Sequence, residues 1–132
     1  MPNTVGYIGV APSAARTTAQ TFPTPSSADG YPAFKNNGWT GIKVVIDVTA
    51  GTSGFSITPT IKGYDKTSGK TWTLLAGAAI SSASTVIMTV FPAATAVTNV
   101  TANDELPESF QITMAVADAK SVTYSIGAHL IP

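Results

Sequence analysis

The chain of 132 residues contains no cysteine, only one histidine and few charges. Without cysteine it has no disulfide and no thiolate metal site, so the redox compartment is left open. Seven basic residues balance seven acidic ones, and charged residues make up only 11% of the chain. Such a chain lacks the basic surface that nucleic acid or an anionic membrane would require. We therefore expect neither nucleic acid nor membrane as a partner.

Long apolar runs and helical periodicity are absent as well. No run approaches the roughly 18–20 apolar residues of a membrane-spanning helix. The first residues lack the basic and apolar regions of a signal peptide, so we expect a protein made in the cytoplasm of the producing cell. Short alternating runs recur instead at intervals of roughly 8–12 residues. They predict an all-β fold, a single antiparallel β-sandwich of jelly-roll-like or immunoglobulin-like type.

The clearest alternation lies between Trp39 and Asp65. Apolar side chains take every second position over residues 42–48 and again over residues 55–61. Successive strand side chains point to opposite faces, so each run has one apolar face. A short Gly-Thr-Ser-Gly break separates the runs, which predicts an antiparallel hairpin. Further alternating runs predict strands at 71–75, 85–91, 96–101, 110–117 and 122–130.

The first 38 residues differ from the rest, because they hold five of the nine prolines. Proline lacks a backbone donor and restricts its predecessor, so neither a helix nor a central strand fits here. Scattered aromatic and apolar side chains make the segment unlike a disordered tail. We predict an extended Pro-rich N-terminal arm over 1–38 and a β-sandwich domain over 39–132; the alternative is that the segment packs across its own domain. The candidate partner-binding residues of this arm are Tyr7, Ile8, Val10, Arg16, Phe22, Tyr31 and Phe34.

No motif supplies catalytic or metal chemistry. Residues 63–71 have five residues between two glycines where a phosphate-binding loop needs four, and they join two predicted strands instead of a strand and a helix. The acidic set of Asp104, Glu105 and Glu108 lacks the regular oxygen spacing of a calcium loop. His129 alone cannot build a zinc site or a nucleophilic triad. We expect no enzyme, no cofactor and no metal.

The aromatic side chains leave two interpretations open. Sugar-binding platforms use exposed rings, whereas similar rings also fill β-sandwich cores and interfaces. The candidates for such a platform are Trp39, Tyr64, Trp72 and Tyr124.

Six segments occur in a characteristic order: GIKVVIDVTA (41–50), ITPTIKGYDKTSGK (57–70), WTLLAGAAI (72–80), VFP (90–92), NDELP (103–107) and SVTYSIGAHLI (121–131). In this order they resemble a family of small structural proteins of tailed-bacteriophage virions. The resemblance covers roughly residues 40–131. Residues 15–25, ARTTAQTFPTP, are similar to the Arg/Thr/Pro-rich lead-in of such proteins.

The resemblance implies a non-enzymatic virion component, a head decoration (cement) protein on the outer capsid surface. Its partners would be the major capsid protein and further copies of itself, with a trimer favoured, and it would be made in the cytoplasm of the host bacterium. The alternative is a tail- or fibre-associated attachment module that binds glycans.

Overall fold

The computed structural model describes residues 6–23 and 31–132, and within these ranges the chain is all β. No helix of the described residues is long and apolar enough to cross a bilayer. The strands are β1 Tyr7–Arg16, β2 Gln20–Phe22, β3 Phe34–Lys35, β4 Gly41–Gly51, β5 Ile57–Tyr64, β6 Thr71–Ala76, β7 Ser84–Val90, β8 Thr101–Ala102, β9 Ser109–Val116 and β10 Val122–Ile131.

The strands form two sheets. The first has the order β1-β10-β4-β7-β8, and the second has the order β2-β9-β5-β6 with β3 also paired to β9. All pairs are antiparallel except β7 with β8. One hydrophobic cluster draws its side chains from both sheets, as expected for a sandwich. The prediction of an all-β fold with two mostly antiparallel sheets is confirmed.

The alternation read from the sequence determines which side chains enter this core. On β4, Ile42, Val44 and Ile46 are fully buried. The same period buries Ile57 and Ile61 on β5. Strands at 71–75, 85–91, 110–117 and 122–130 are confirmed within one or two residues at their ends.

The predicted hairpin between the 42–48 and 55–61 runs is wrong. β4 pairs with β10 and β7 in the first sheet, whereas β5 pairs with β9 and β6 in the second. The connection after Gly51 therefore crosses from one sheet to the other. Gly54, with a φ of +82°, helps to turn the chain there, and Phe55 enters the core. Alternation defines the apolar face of each strand, but it does not define the neighbouring strand.

The described part of the N-terminal segment lies in the sandwich itself. β1 is an edge strand paired with β10, and β2 and β3 pair with β9. Pro12 is tolerated in β1 because an edge strand has one side without ladder partners. Of the two alternatives for this segment, its described residues follow the second and pack across their own domain. Residues 1–5 and 24–30 of the predicted arm lie outside the described residues.

The weak strand expected at 96–101 is mostly a turn. Only Thr101 and Ala102 are extended, and they run parallel to the end of β7. Asn99 has a φ of +64°, in the left-handed region that reverses the chain. The amides of Val100 and Thr101 both donate to the carbonyl of Val97. This turn leaves Val97 and Val100 at the surface beside β7.

Candidate partner-binding surface

The seven candidate residues of the N-terminal segment occupy three different environments. Val10 and Phe22 are buried within the core of this chain. Ile8, Arg16, Tyr31 and Phe34 are partly buried, whereas Tyr7 is 51% exposed.

Arg16 is held against its own domain by hydrogen bonds to backbone carbonyls. Its guanidinium donates to the carbonyl of Tyr124 on β10 at 2.7 Å, and to those of Pro12 at 2.7 Å and Ala14 at 3.2 Å. The guanidinium also lies over the Tyr124 ring, 4.5 Å from its centroid. These contacts bridge the place where the β1–β10 register shifts between Ala11 and Ala14. Arg16 thus replaces part of an interrupted ladder.

Tyr31 and Phe34 are held against β9. The hydroxyl groups of Tyr31 and Ser109 share a hydrogen bond of 2.9 Å, and the ring of Phe34 lies 5.5 Å from that of Phe110. The side-chain amide of Gln111 donates to the Pro32 carbonyl at 2.8 Å. The segment from Tyr31 to Lys35 is therefore attached to β9 of the second sheet by backbone pairing and side-chain contacts.

Tyr124 gives a stability prediction. Its ring is only 1% exposed, and its hydroxyl has no hydrogen-bond partner in the described part of the chain. Burial raises the pKa of this phenol, and nearby Arg16 partly opposes the shift. We expect Tyr124→Phe to raise the free energy of unfolding by about 1 kcal/mol, because it removes a buried unpaired hydroxyl and keeps the ring under Arg16. Urea unfolding measures the difference; a loss of stability would show that the hydroxyl has a partner.

Tyr7 marks the β1 edge of the first sheet. Its ring lies 5.0 Å from that of His129, centroid to centroid, in a tilted arrangement. The ring also covers Gly127, where an added Cβ would come within 3.0 Å of the Tyr7 hydroxyl. His129 is exposed and packs against this ring. Tyr7 is the one predicted partner-binding residue that is more than half exposed.

The opposite edge of the first sheet is only partly covered. β8 pairs with β7 at Thr89 and Val90 alone, and no described strand pairs with residues 84–88 on that side. The Thr89 amide donates to the Val100 carbonyl. Because amide direction alternates along a strand, the amides of Thr85 and Ile87 point to the same open side. An extended chain could hydrogen-bond there.

A cleft of about 400 Å³ runs beside this open side. Its lining includes Ile80, Val86 and Val100, together with several alanine and serine residues. Ile87, Val97 and Val100 are 46–49% exposed, and they are three of the five large hydrophobic side chains that the described residues expose. We call the open side of residues 84–88, with Val97 and Val100, the uncharged edge.

The edge is called uncharged because its part of the sequence contains no charged residue. No charged residue occurs between Lys70 and Asp104, and β7, β8 and the turn before β8 all lie in this interval. Edge strands usually carry charges, especially lysine, which prevent pairing with other chains. This edge has no such protection. The interval is visible in the sequence, but only the sheet order shows that it forms an edge.

The four aromatic candidates do not share one platform. Tyr124 is buried in the core, and Trp39 is half-buried near Gly6. Tyr64 and Trp72 do line a common cleft on the second sheet, and Trp72 is 46% exposed.

The glycine-containing segment at 63–71 and Glu108 of the acidic set both have structural roles. Residues 65–70 form the turn between β5 and β6, in which the Gly69 amide donates to the Asp65 carbonyl at 2.7 Å. Glu108 forms an ion pair with Lys66 at 2.7 Å. Among the described residues, no three His, Cys, Asp or Glu side chains are close enough together to hold a metal ion.

Comparisons with known proteins do not assign the chain to a family. No protein-family model matches it, and neither a curated protein nor a solved structure is significantly similar to it.

Proposed function

We propose that the protein is a non-enzymatic structural component of a tailed-phage virion, a head decoration protein that binds the major capsid protein on the outer lattice. It is made in the cytoplasm of the host bacterium and joins the particle there. The observation that carries the proposal is the uncharged edge with its exposed Ile87, Val97 and Val100. The resemblance of residues 40–131 supports the same role.

The edge supplies a recognition mode that makes few demands on sequence. An extended segment of the capsid protein adds a strand along residues 84–88, and its backbone bonds to the open amides and carbonyls. Apolar side chains of the segment pack on Ile87 and in the cleft beside Val86. One added strand of this kind binds weakly on its own. In a homotrimer, binding of the first copy raises the effective concentration of the other two copies at the shell, so the three contacts together bind more tightly.

The bound copies stabilise the shell mechanically. Each trimer bridges neighbouring capsid subunits and raises the free energy needed to separate them against the pressure of packaged DNA. The low charge of the chain lets copies sit close together without mutual repulsion. The finer parts of the proposal are a sandwich of jelly-roll or immunoglobulin type and an N-terminal segment that contacts the shell or a neighbouring copy through the exposed Tyr7 on β1.

Deletion of residues 1–38 is a poor test of this proposal. The deletion removes β1 with the buried Val10 and β2 with the buried Phe22. Loss of binding would then report unfolding. Copy number and point variants at the surface avoid that ambiguity.

The first test is the number of copies per purified virion, measured by quantitative mass spectrometry against the major capsid protein. Hundreds of copies in simple ratio to the capsid protein are expected for a decoration protein. A few dozen copies or fewer would indicate the alternative, a tail- or fibre-associated attachment module. Absence from the particle would contradict both.

A further inference from the structure

A second surface lies on the other sheet and shares no lining residue with the uncharged edge. A cleft of about 230 Å³ opens between the β5–β6 turn and residues 107–109. This volume is below the roughly 300–1,000 Å³ of sites for drug-sized ligands, so it suits a ligand the size of one ring. Its apolar lining comes from Tyr64, Trp72 and Pro107, and its polar lining includes Lys66 and Glu108.

Trp72 forms a flat platform in this cleft. It lies on the edge strand β6, opposite Gly63 on β5. The indole packs directly on the glycine, because a Cβ added to Gly63 would overlap the Trp72 ring. One side of the indole is thus supported by backbone, and the side chain is still 46% exposed. A rigidly supported exposed ring is suited to stacking with another flat surface.

The polar groups of the cleft restrict the charge of the ligand. The Lys66 ammonium is paired with Glu108 at 2.7 Å, which leaves the carboxylate of Asp65 as the unbalanced charge in the lining. Hydrogen bonds from Ser68 and Thr67 hold the pKa of Asp65 below its usual range, so this carboxylate is ionised at neutral pH. A phosphate or carboxylate ligand would meet a net negative lining. A neutral ligand with many hydroxyl groups would find acceptors and donors.

We propose that this cleft binds a neutral saccharide, with the apolar face of one pyranose ring stacked on Trp72 and its hydroxyl groups bonded to Glu108, Lys66 and Asp65. The cleft binds without hydrolysing. Hydrolysis requires two carboxyl groups that flank the bond to be broken, one of them able to donate a proton. Here the Asp65 carboxylate accepts hydrogen bonds within the β5–β6 turn, and Glu108 accepts one from Lys66. The proposal does not depend on capsid binding, because it rests on Trp72, its support by Gly63 and the charges of the cleft, and not on the uncharged edge.

The experiment titrates the full chain with three neutral disaccharides, cellobiose, maltose and N,N′-diacetylchitobiose, and measures affinities by isothermal titration calorimetry, with tryptophan fluorescence as a second signal in variants that retain Trp72. A Trp39→Phe variant leaves Trp72 as the sole tryptophan; if it is unstable, the difference between the wild type and Trp72→Ala reports the same ring. We expect a saturable change with at least one disaccharide. Trp72→Ala should bind at least about tenfold more weakly, since stacking is lost.

Gly63→Ala is the matched positioning control. It keeps Trp72 but forces the indole off its support, so it should also weaken binding, while Thr123→Ala on the other sheet should not. No saturable change with any of the three disaccharides would overturn the proposal. So would binding of an anionic probe, glucose 6-phosphate, in preference to them, or equal affinities of Gly63→Ala, Trp72→Ala and the wild type.

Discussion

Replacement of Arg16 by alanine is expected to lower the free energy of unfolding by about 3 kcal/mol. The guanidinium donates to three carbonyls and stacks on the Tyr124 ring. Its removal leaves the β1–β10 pairing interrupted where the register already shifts. For a domain of this size, the loss corresponds to a fall in Tm of roughly 10 °C. Thermal unfolding measures the shift, and hydrogen exchange should show faster exchange in β1.

Arg16→Lys provides the matched control. An ammonium group retains the charge but cannot form the planar fork, so it should recover less than half of the lost stability. The same measurements distinguish a structural role of Arg16 from a role in contacting a partner. If Arg16 acts mainly by contacting a partner, Arg16→Ala will leave Tm unchanged and weaken capsid binding. That outcome would contradict the structural role.

Replacement of Ile87 by lysine is expected to weaken capsid binding at least about a hundredfold, because it places an unpaired charge in a contact that excludes water. Ile87 is 48% exposed in the free protein. The change in folding free energy should therefore stay within about 0.5 kcal/mol. Co-sedimentation with virions that lack the protein measures binding, and urea unfolding measures stability.

Two further variants give this experiment its controls. Val100→Lys alters the same uncharged edge at a second position and should behave like Ile87→Lys. Thr73→Lys adds the same charge to an exposed position on β6, in the other sheet, and should bind normally. If both edge variants still saturate the virions at wild-type concentration, the uncharged edge is not the capsid-binding surface.

Alternation in the sequence predicted which face of a strand is buried. The period of two on β4 and β5 places the same side chains in the core as the structure does, from Ile42 on β4 to Ile61 on β5. This works because side-chain direction in a strand depends on local backbone geometry. The all-β class follows from the same local pattern.

The candidate surfaces could be predicted only in part. The absence of charge between Lys70 and Asp104 is visible in the sequence, but its position at an open edge depends on β8 covering only two residues of β7. Likewise, Trp72 was a candidate for stacking, but its support by Gly63 depends on the β5–β6 register. Both features arise from pairing between strands.

The sequence by itself determined the all-β class, the buried faces of β4 and β5 and the lack of cysteine for disulfides, because these depend on composition and on neighbouring residues. Only the tertiary structure decided that β4 and β5 belong to different sheets, and that β1 closes the first sheet beside β10. Each apolar face can be buried equally well beside several neighbours. The choice among them is made by long-range packing across the whole core, which no short stretch of sequence contains.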